Sequence, residues 1–202
     1  MTVFFKSVRL TAVVFLLLAA ASSIHAVEKK YPDLPFASDY GGSFNLIDHT
    51  GQPMTDQSFH GRYVILYFGY TNCADTCPLA LSTITHALTQ MGSLADDVTP
   101  VLINLDPRAG TLMALEEYVH YFHPRMIGLT GSERALAAAA GGYGIRYRYA
   151  KNEDGSTLMI HSGKIFFIGP NGDVLTYFPH EATSDWLATT MSRYVRTGEG
   201  SN

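Results

Sequence analysis

The feature that most constrains the fold is a pair of cysteines at the junction between a predicted strand and a predicted helix. The apolar run Tyr63–Phe68 predicts a strand that is buried on both faces. Cys73 and Cys77, the only cysteines of the chain, follow closely, and Pro78 is tolerated in a first helical turn. The junction therefore places two thiols at a helix N-terminus, where backbone N–H groups and the helix dipole lower thiol pKa values.

Strand and helix signals alternate along the rest of the chain. The apolar spacing after the cysteines predicts a helix from about Thr76 to Gln90, ended by Gly92. Lys151–Ser156 is predicted to be a polar loop. Further strands are predicted at Phe44–Ile47, Val101–Leu105, Ile127–Leu129, Lys164–Ile168 and Asp173–Phe178, and further helices around Leu115–Phe122, after Ser132 and after Ser184.

This order combines parallel crossover units with a terminal hairpin. It predicts an α/β fold, a thioredoxin-like three-layer α/β sandwich with a mixed central sheet and an added N-terminal β-hairpin. Residues 27–197 are predicted to form this one domain, and residues 198–202 a flexible tail.

Residues 1–26 have the pattern of a secretory signal peptide. Lys6 and Arg9 precede an apolar stretch over residues 10–21, and small residues lead to a cleavage site after Ala26. An uncleaved anchor in the inner membrane, with contact through residues 10–27, is the alternative. Either reading predicts export to the periplasm, an oxidising compartment in which two lone thiols tend to pair.

The charge of the exported part argues against nucleic acid as a partner. Removing Lys6 and Arg9 from the 14 basic residues leaves 12, against 18 Asp and Glu, a formal charge of −6. Nucleic-acid binding requires clustered Lys and Arg, which this chain lacks.

Several chemistries fit a pair of exported thiols. A structural disulfide gains most from closing a long loop, and the loop between Cys73 and Cys77 is minimal. Thioredoxin-like oxidoreductases have two residues between their cysteines and a cis-proline before the terminal hairpin. This chain has three intervening residues, and Met159–Gly163 contains no proline. A peroxidase of the same fold is a weaker alternative, because the usual Pro-x-x-x-Thr-x-x-Cys pattern is absent.

A metal site is the remaining alternative. Two thiolates and one imidazole suit Cu(I), which favours sulfur and a low coordination number. Of the 8 histidines, His161 is the one whose predicted position, ahead of the hairpin, lies beside the helix N-terminus. Met159 either supplies a weak thioether contact to copper or is an edge residue that fills a gap in the packing. Asp106 either hydrogen-bonds the turn that carries the thiols or caps the segment that follows it.

The residues around these positions resemble the Sco/SenC family, and the match covers essentially the whole exported domain. The matching segments are Tyr70–Leu79, Asp106-Pro107, Ile127–Gly131, and His161-Ser162 ahead of the Ile165–Gly172 hairpin. The resemblance implies a thioredoxin-like fold that binds copper through Cys73, Cys77 and His161. It also implies a role in building the copper centre of cytochrome c oxidase.

Three positions differ from the family pattern. Ile160 stands where many members have an acidic residue before the ligand histidine, and Ala74 replaces a proline common between the cysteines. The acidic pair after the Asp-Pro step is reduced to Asp106. A carboxylate next to a ligand histidine often fixes its tautomer, so the first difference bears on how His161 is oriented.

The leading hypothesis is therefore an exported copper metallochaperone that holds copper through Cys73, Cys77 and His161. Cu(I) is favoured and Cu(II) is the alternative. The expected partners are the copper-bearing subunit of cytochrome c oxidase and other copper or thiol-redox proteins. The rival hypothesis is a thiol–disulfide reductase that reduces partner cysteines before metallation. Metal binding requires both thiols to be reduced, so a disulfide between them is the inactive form of the metallochaperone.

Overall fold

The computed structural model describes residues 39–108, 110–151, 157–198 and 200. The predicted signal peptide or anchor, and residues 199, 201 and 202 of the predicted tail, lie outside this range. Within it, no helix is both long enough and apolar enough to span a membrane. The strands are β1 Asn45–Asp48, β2 Pro53–Thr55, β3 Tyr63–Gly69, β4 Val98–Asn104, β5 Ile127–Thr130, β6 Tyr147–Lys151, β7 Thr157–His161, β8 Lys164–Ile168 and β9 Val174–Pro179. The α-helices are α1 Thr76–Met91, α2 Leu112–Phe122, α3 Glu133–Gly142 and α4 Ser184–Thr197, and two short 3-10 helices span Asp56–Phe59 and Gly92–Asp97.

Seven of the described strands form one mixed sheet in the order β2-β1-β5-β4-β3-β8-β9. The three central strands β3, β4 and β5 are parallel, while β8 runs antiparallel to β3 and β9 antiparallel to β8. At the other edge, the β1–β2 hairpin pairs with β5 in antiparallel fashion. This topology confirms the predicted thioredoxin-like class with its mixed sheet and N-terminal hairpin.

Both faces of the central sheet are covered. All seven residues of β3 and all seven of β4 are buried, although alternate side chains point to opposite faces. Among the helices that cover the sheet, α1 packs against α4, and α2 packs against β5. Gly128 of β5 permits the second contact, because a Cβ there would lie 2.7 Å from Cγ of Leu115 in α2.

The helix that carries Cys77 begins at the predicted residue. It starts at Thr76 and ends at Met91, and Gly92 follows with a φ of 58°. The prediction for β4 was wrong by three residues at its start, since the strand includes Pro100. Pairing with β5 begins only at Val101, so the missing N–H of Pro100 interrupts no ladder on that side.

A second, two-stranded sheet is formed by β6 and β7, and the sequence did not predict it. The predicted loop over Lys151–Ser156 is wrong at Lys151, which pairs with Thr157 as the last residue of β6. Residues 152–156 lie outside the described range. The signal in β6 was a short alternation of Tyr147 and Tyr149 with polar residues, which resembles an ordinary polar segment. This hairpin matters because His161 is its last residue.

Candidate metal centre

The two cysteines lie at the start of α1 in different environments. Cys77 is fully buried in the first helical turn, whereas Cys73 is half-buried in the loop before it, and both are free thiols. The backbone N–H of Cys77 donates to the sulfur of Cys73 at 3.4 Å, and the hydroxyl of Thr76 lies 3.4 Å from the same sulfur. Asp75, the N-cap residue, makes no capping bond through its side chain. The Cys73 sulfur therefore accepts an N–H that an N-cap side chain would otherwise accept.

His161 approaches the cysteines from the β6–β7 hairpin. Its Nε2 atom lies 3.4 Å from Sγ of Cys77, although the two residues are 84 positions apart. Its Nδ1 atom lies 3.2 Å from the carbonyl oxygen of Ser162. A carbonyl only accepts, so Nδ1 carries the proton and donates it, which leaves the Nε2 lone pair directed at the sulfur.

Two hydrogen bonds between Arg146 and Ser162 fix the base of the hairpin next to His161. The backbone N–H of Ser162 donates to the carbonyl of Arg146 at 2.9 Å, and the N–H of Arg146 donates to the Ser162 hydroxyl at 3.0 Å. Ile160, which replaces the family's acidic residue, is 44% exposed. The Ser162 carbonyl thus supplies the orientation of the imidazole that a carboxylate at position 160 would otherwise favour.

Two tyrosines frame the imidazole. The rings of Tyr67 and Tyr70 each lie 6.0 Å from the His161 ring, both edge-on. The Tyr67 hydroxyl donates to the sulfur of Cys77, and the Tyr70 hydroxyl donates to the sulfur of Cys73. The backbone N–H of Met159 donates in turn to the Tyr70 hydroxyl, which ties β7 to the thiol loop. Sequence reasoning missed both tyrosines, although their places in and directly after β3 were a usable signal.

The two thiols have opposite pKa shifts. The hydrogen bond from the Cys77 thiol lowers the pKa of Cys73 to about 4 against the effect of burial, and the Thr76 hydroxyl and the backbone N–H groups of Cys77 and Asp75 add to the lowering. The same hydrogen bond, together with burial, raises the pKa of Cys77 far above its usual range. At neutral pH Cys73 is therefore a thiolate and Cys77 a thiol.

The imidazole and the surrounding hydroxyls are neutral at the same pH. Burial lowers the pKa of His161, against the opposing effects of the Ser162 carbonyl and the Cys73 charge, and His180 lowers it further. Burial and the nearby Cys73 charge raise the pKa of Tyr70 to about 12, and burial, followed by the interaction with Cys77, raises the pKa of Tyr67. A neutral imidazole is the form that binds a metal.

The separation of Cys77 and His161 fits two donors to one ion. At zinc sites the bond to a histidine nitrogen is about 2.0 Å long and the bond to a cysteine sulfur about 2.3 Å. Two such bonds that meet at an angle of about 110–120° place the nitrogen and the sulfur about 3.6 Å apart. The observed separation of Sγ and Nε2 is 3.4 Å. In the described part of the chain, no three side chains of His, Cys, Asp or Glu already have the spacing of a metal site.

The other two predicted residues have identifiable roles. Met159 is 4% exposed and belongs to the hydrophobic core. Asp106 accepts from the backbone N–H of Arg108 at 3.1 Å, which supports the prediction that it caps the segment that follows it. It also accepts from the hydroxyl of Tyr149 at 3.1 Å, a contact with the β6–β7 hairpin that the sequence did not indicate.

The sequence of the chain matches a known protein family. The family model described as SCO1/SenC matches residues 32–196. The Homo sapiens protein "Protein SCO1 homolog, mitochondrial" is 33% identical over 159 residues, which cover 77% of this chain. The match spans 53% of the length of that relative.

Solved structures show the same fold. The crystal structure of Arabidopsis thaliana ScoI with copper bound is 33% identical, with a TM-score of 0.73 over 78% of this chain and 98% of that one. The structure of BsSco, a member of the Sco family of cytochrome c oxidase assembly proteins in which a disulfide switch was identified, is 19% identical. Its TM-score is 0.64 over 81% of this chain and 98% of that one, a likeness of fold alone.

Proposed function

The chain belongs to the SCO1/SenC family, and from that premise we propose that it is an exported copper metallochaperone that serves the copper centre of cytochrome c oxidase. Proteins of this family are linked to copper binding and to cytochrome c oxidase assembly. The observation that carries the proposal for this chain is the 3.4 Å approach of the His161 Nε2 lone pair to the Cys77 sulfur, at the helix start that also holds Cys73.

The proposed ligands are the sulfurs of Cys73 and Cys77 and the Nε2 atom of His161. Cys77 and His161 lie at the spacing of two ligands, and the Cys73 sulfur, which accepts a hydrogen bond from the Cys77 thiol, would complete the set. Cys73 is suited to this because it lies in the loop before α1 and is half-buried, whereas Cys77 is held inside the first turn. Two thiolates and an imidazole favour Cu(I) as the cargo.

The different exposure of the three donors suggests the route of transfer. A partner's ligand would reach copper from the side of Cys73, because Cys73 is more accessible to solvent than Cys77. Exchange then proceeds through a complex in which copper is shared between the two proteins. The recipient we propose is the copper-bearing subunit of cytochrome c oxidase, in accordance with the assembly role of the family.

We place this activity in the periplasm, with the leader over residues 1–26 either removed or kept as an inner-membrane anchor. The pattern of Lys6, Arg9 and the following apolar stretch supports export. In that compartment a disulfide between Cys73 and Cys77 competes with copper, so a reductant must keep the pair available.

The ligand set is tested by measuring Cu(I) affinity of the reduced protein in competition with a chromophoric chelator. The wild type is expected to bind one equivalent and to lose two titratable thiols. Cys73→Ser, Cys77→Ser and His161→Ala are each expected to weaken binding by more than the 10–100-fold that the loss of an outer hydrogen-bond partner costs.

The matched control is His86→Ala, which removes an exposed histidine from the same helix as Cys77. It is expected to bind Cu(I) like the wild type. If His161→Ala also retained the full affinity, the three-ligand centre would be wrong, and if both cysteine variants retained it, the metallochaperone would be wrong.

A second candidate function, thiol–disulfide reductase, is favoured by the lowered pKa of Cys73, which makes it a nucleophile at neutral pH. The Cys73 thiolate would attack a partner disulfide and release one partner thiolate. Cys77, after losing its proton, would then attack the Cys73 sulfur and release the second partner thiolate, leaving the protein oxidised and the partner reduced.

Metal-free Cys77→Ala should accumulate the mixed disulfide at Cys73 if this reaction occurs. Absence of that adduct with a disulfide peptide would exclude it.

A further inference from the structure

The turn that joins β7 to β8 packs closely against another segment of the chain. Gly163 lies in this turn, two residues after His161. A Cβ atom added at Gly163 would lie 2.6 Å from Nδ1, 2.8 Å from Cγ and 2.9 Å from Cβ of His180. Cβ atoms do not approach other heavy atoms this closely, so glycine fits here and the side chain of His180 lies directly over its α-carbon.

The position of His180 is set by the end of β9. Strands β8 and β9 pair in antiparallel register at Lys164 and Pro179. The next residues outward along the two strands are Gly163 and His180, which therefore face each other. The carbonyl of Pro179 accepts from the backbone N–H of Ala182 at 3.0 Å and closes the turn that contains His180. The contact with Gly163 is thus held by the backbone on both strands.

Gly163 shares a peptide unit with the group that orients His161. The Ser162 carbonyl, whose oxygen lies 3.2 Å from Nδ1 of His161, belongs to the peptide bond between Ser162 and Gly163. The backbone N–H of Ser162 donates to the carbonyl of Arg146 at 2.9 Å. Because a peptide unit is planar, a displacement of the Gly163 α-carbon turns the carbonyl with it. The direction of the carbonyl therefore depends on the pairing with Arg146 on one side and on the packing against His180 on the other.

We propose that His180 is a positioning residue for His161. Through its contact with Gly163, it holds the Ser162 carbonyl in the place where that carbonyl accepts the Nδ1 proton of His161. With Nδ1 protonated, the lone pair of Nε2 points to the Cys77 sulfur, 3.4 Å away. If the carbonyl turned away, the proton could move to Nε2, and that tautomer has no lone pair for a metal at this atom. The consequence for copper rests on the proposed function: His180 selects the tautomer of His161 that can bind it.

His180→Gly tests this proposal because it removes all the atoms that lie over Gly163. The tautomer of His161 is read from the nitrogen-15 chemical shifts of its imidazole in reduced, metal-free protein at about pH 8, where the ring is neutral. The wild type is expected to carry the proton on Nδ1 alone, and the variant to show a mixture of the two tautomers. The dissociation constant for Cu(I), measured by chelator competition, should rise about tenfold, the lower end of the effect of losing an outer hydrogen-bond partner. An unchanged tautomer or an unchanged affinity would overturn the proposal.

A double-mutant cycle shows whether His180 acts through Gly163. Gly163→Ala by itself should force the turn away from His180, produce the same mixture of tautomers and weaken Cu(I) binding. In the His180→Gly background the added methyl group meets none of the atoms of the imidazole side chain, so it should weaken Cu(I) binding by a smaller factor. Equal factors in the two backgrounds would contradict the proposal. His180→Gly alters a partly exposed turn, so its own result decides the matter if Gly163→Ala does not fold.

Two control variants separate packing from other causes. Glu181→Gln removes the carboxylate that lies 3.5 Å from Nδ1 of His180 and keeps the ring, so the tautomer of His161 should not change. A mixture of tautomers in this variant would assign the effect to the ion pair and overturn the proposal. Gly141→Ala adds a Cβ where no described atom outside the helix backbone and the adjoining residues lies within 4 Å, and it should change neither quantity. If the wild type bound no Cu(I), the proposed function would be wrong, while the tautomer of His161 would still test the role of His180.

Discussion

At the scale of single residues, Cys73 and Cys77 carry different charges although one helical turn separates them. Cys73 accepts hydrogen bonds from the Cys77 thiol, from Thr76 and from backbone N–H groups at the start of α1. Cys77 lies deeper and donates. This division of roles follows from position alone, since the first sulfur lies before the helix and the second within its first turn.

The lowered pKa predicts the reactivity of Cys73. In reduced, metal-free protein, alkylation of Cys73 by iodoacetamide should be independent of pH from about pH 5.5 to 8 and should fall only as the pH approaches 4. An unperturbed thiol with a pKa of about 8.5 would instead react about tenfold faster with each pH unit over that range. Peptide mass spectrometry after timed alkylation distinguishes the two profiles.

Cys77→Ala provides the check on cause. This substitution removes the hydrogen bond from the Cys77 thiol, the largest cause of the lowered pKa of Cys73. The midpoint of the pH profile for alkylation of Cys73 should therefore move to higher pH. A profile that stayed in place would assign the lowering to Thr76 and the backbone N–H groups of α1.

At the scale of secondary structure, the β6–β7 hairpin is the element that brings His161 to the helix. Its contact with the main sheet includes the Tyr149 hydroxyl, which donates to Asp106 at 3.1 Å, and the Arg108 guanidinium, whose central carbon lies 3.9 Å from the centre of the Tyr149 ring. Asp106 and Arg108 follow β4. The hairpin is therefore attached to the loop after a central strand as well as to the thiol loop.

Removing the Tyr149 hydroxyl should loosen this attachment. Tyr149→Phe is expected to lower the free energy of unfolding by about 0.5–1.5 kcal/mol, the usual contribution of one hydrogen bond. Amide hydrogen exchange in β6 and β7 should become faster. Tyr147→Phe, in the same hairpin, is the control, because no side-chain hydrogen bond of Tyr147 occurs among the described residues. Equal effects of the two substitutions would exclude the Asp106 contact as the cause.

The elements differ in how well the sequence predicted them, for physical reasons. Strand β3 and helix α1 were predicted because a fully buried strand and an amphipathic helix have strong local patterns. The hairpin was missed because its strands are partly exposed and pair with each other, outside the main sheet. His161 was nevertheless selected from its place before β8, and its Nε2 atom lies 3.4 Å from Sγ of Cys77.

The parts of the site that the sequence did not indicate are contacts between distant segments. The donation by Tyr67 to Cys77 and the Tyr149–Asp106 hydrogen bond each depend on how side chains pack. No periodicity or motif contains that information. The Ser162 carbonyl that orients His161 is local in sequence, but its direction depends on the hairpin's pairing with Arg146.

At the scale of the whole molecule, the proposed centre joins segments that are 84 residues apart. Copper bound to both segments binds only the folded chain in this geometry, so it should stabilise the whole domain. At a free Cu(I) concentration 100 times the dissociation constant, the free energy of unfolding should rise by about 2.7 kcal/mol. For a domain of this size, that corresponds to a rise in Tm of about 5–11 °C.

Differential scanning calorimetry in a Cu(I)-buffered, reducing solution measures this effect. The Cys73→Ser/Cys77→Ser double variant should show no shift, and His86→Ala should shift like the wild type. If copper left the wild-type Tm unchanged, binding to one segment only, without closure between the helix and the hairpin, would be the explanation.

Because Cys73 is a thiolate and Cys77 a thiol, the pH of the solution should affect how tightly the proposed centre holds copper. Before loading, the formal charges are −1 on Cys73 and zero on Cys77 and His161. Since Cu(I) takes the place of one hydrogen ion on Cys77, the total remains −1 and the interior acquires no new charge. Hydrogen ions and copper therefore compete one for one while Cys73 is a thiolate and His161 is neutral, so that in this range each unit of acidification should weaken the retention of copper about tenfold. Acidification of the surrounding solution would in this way promote the release of copper.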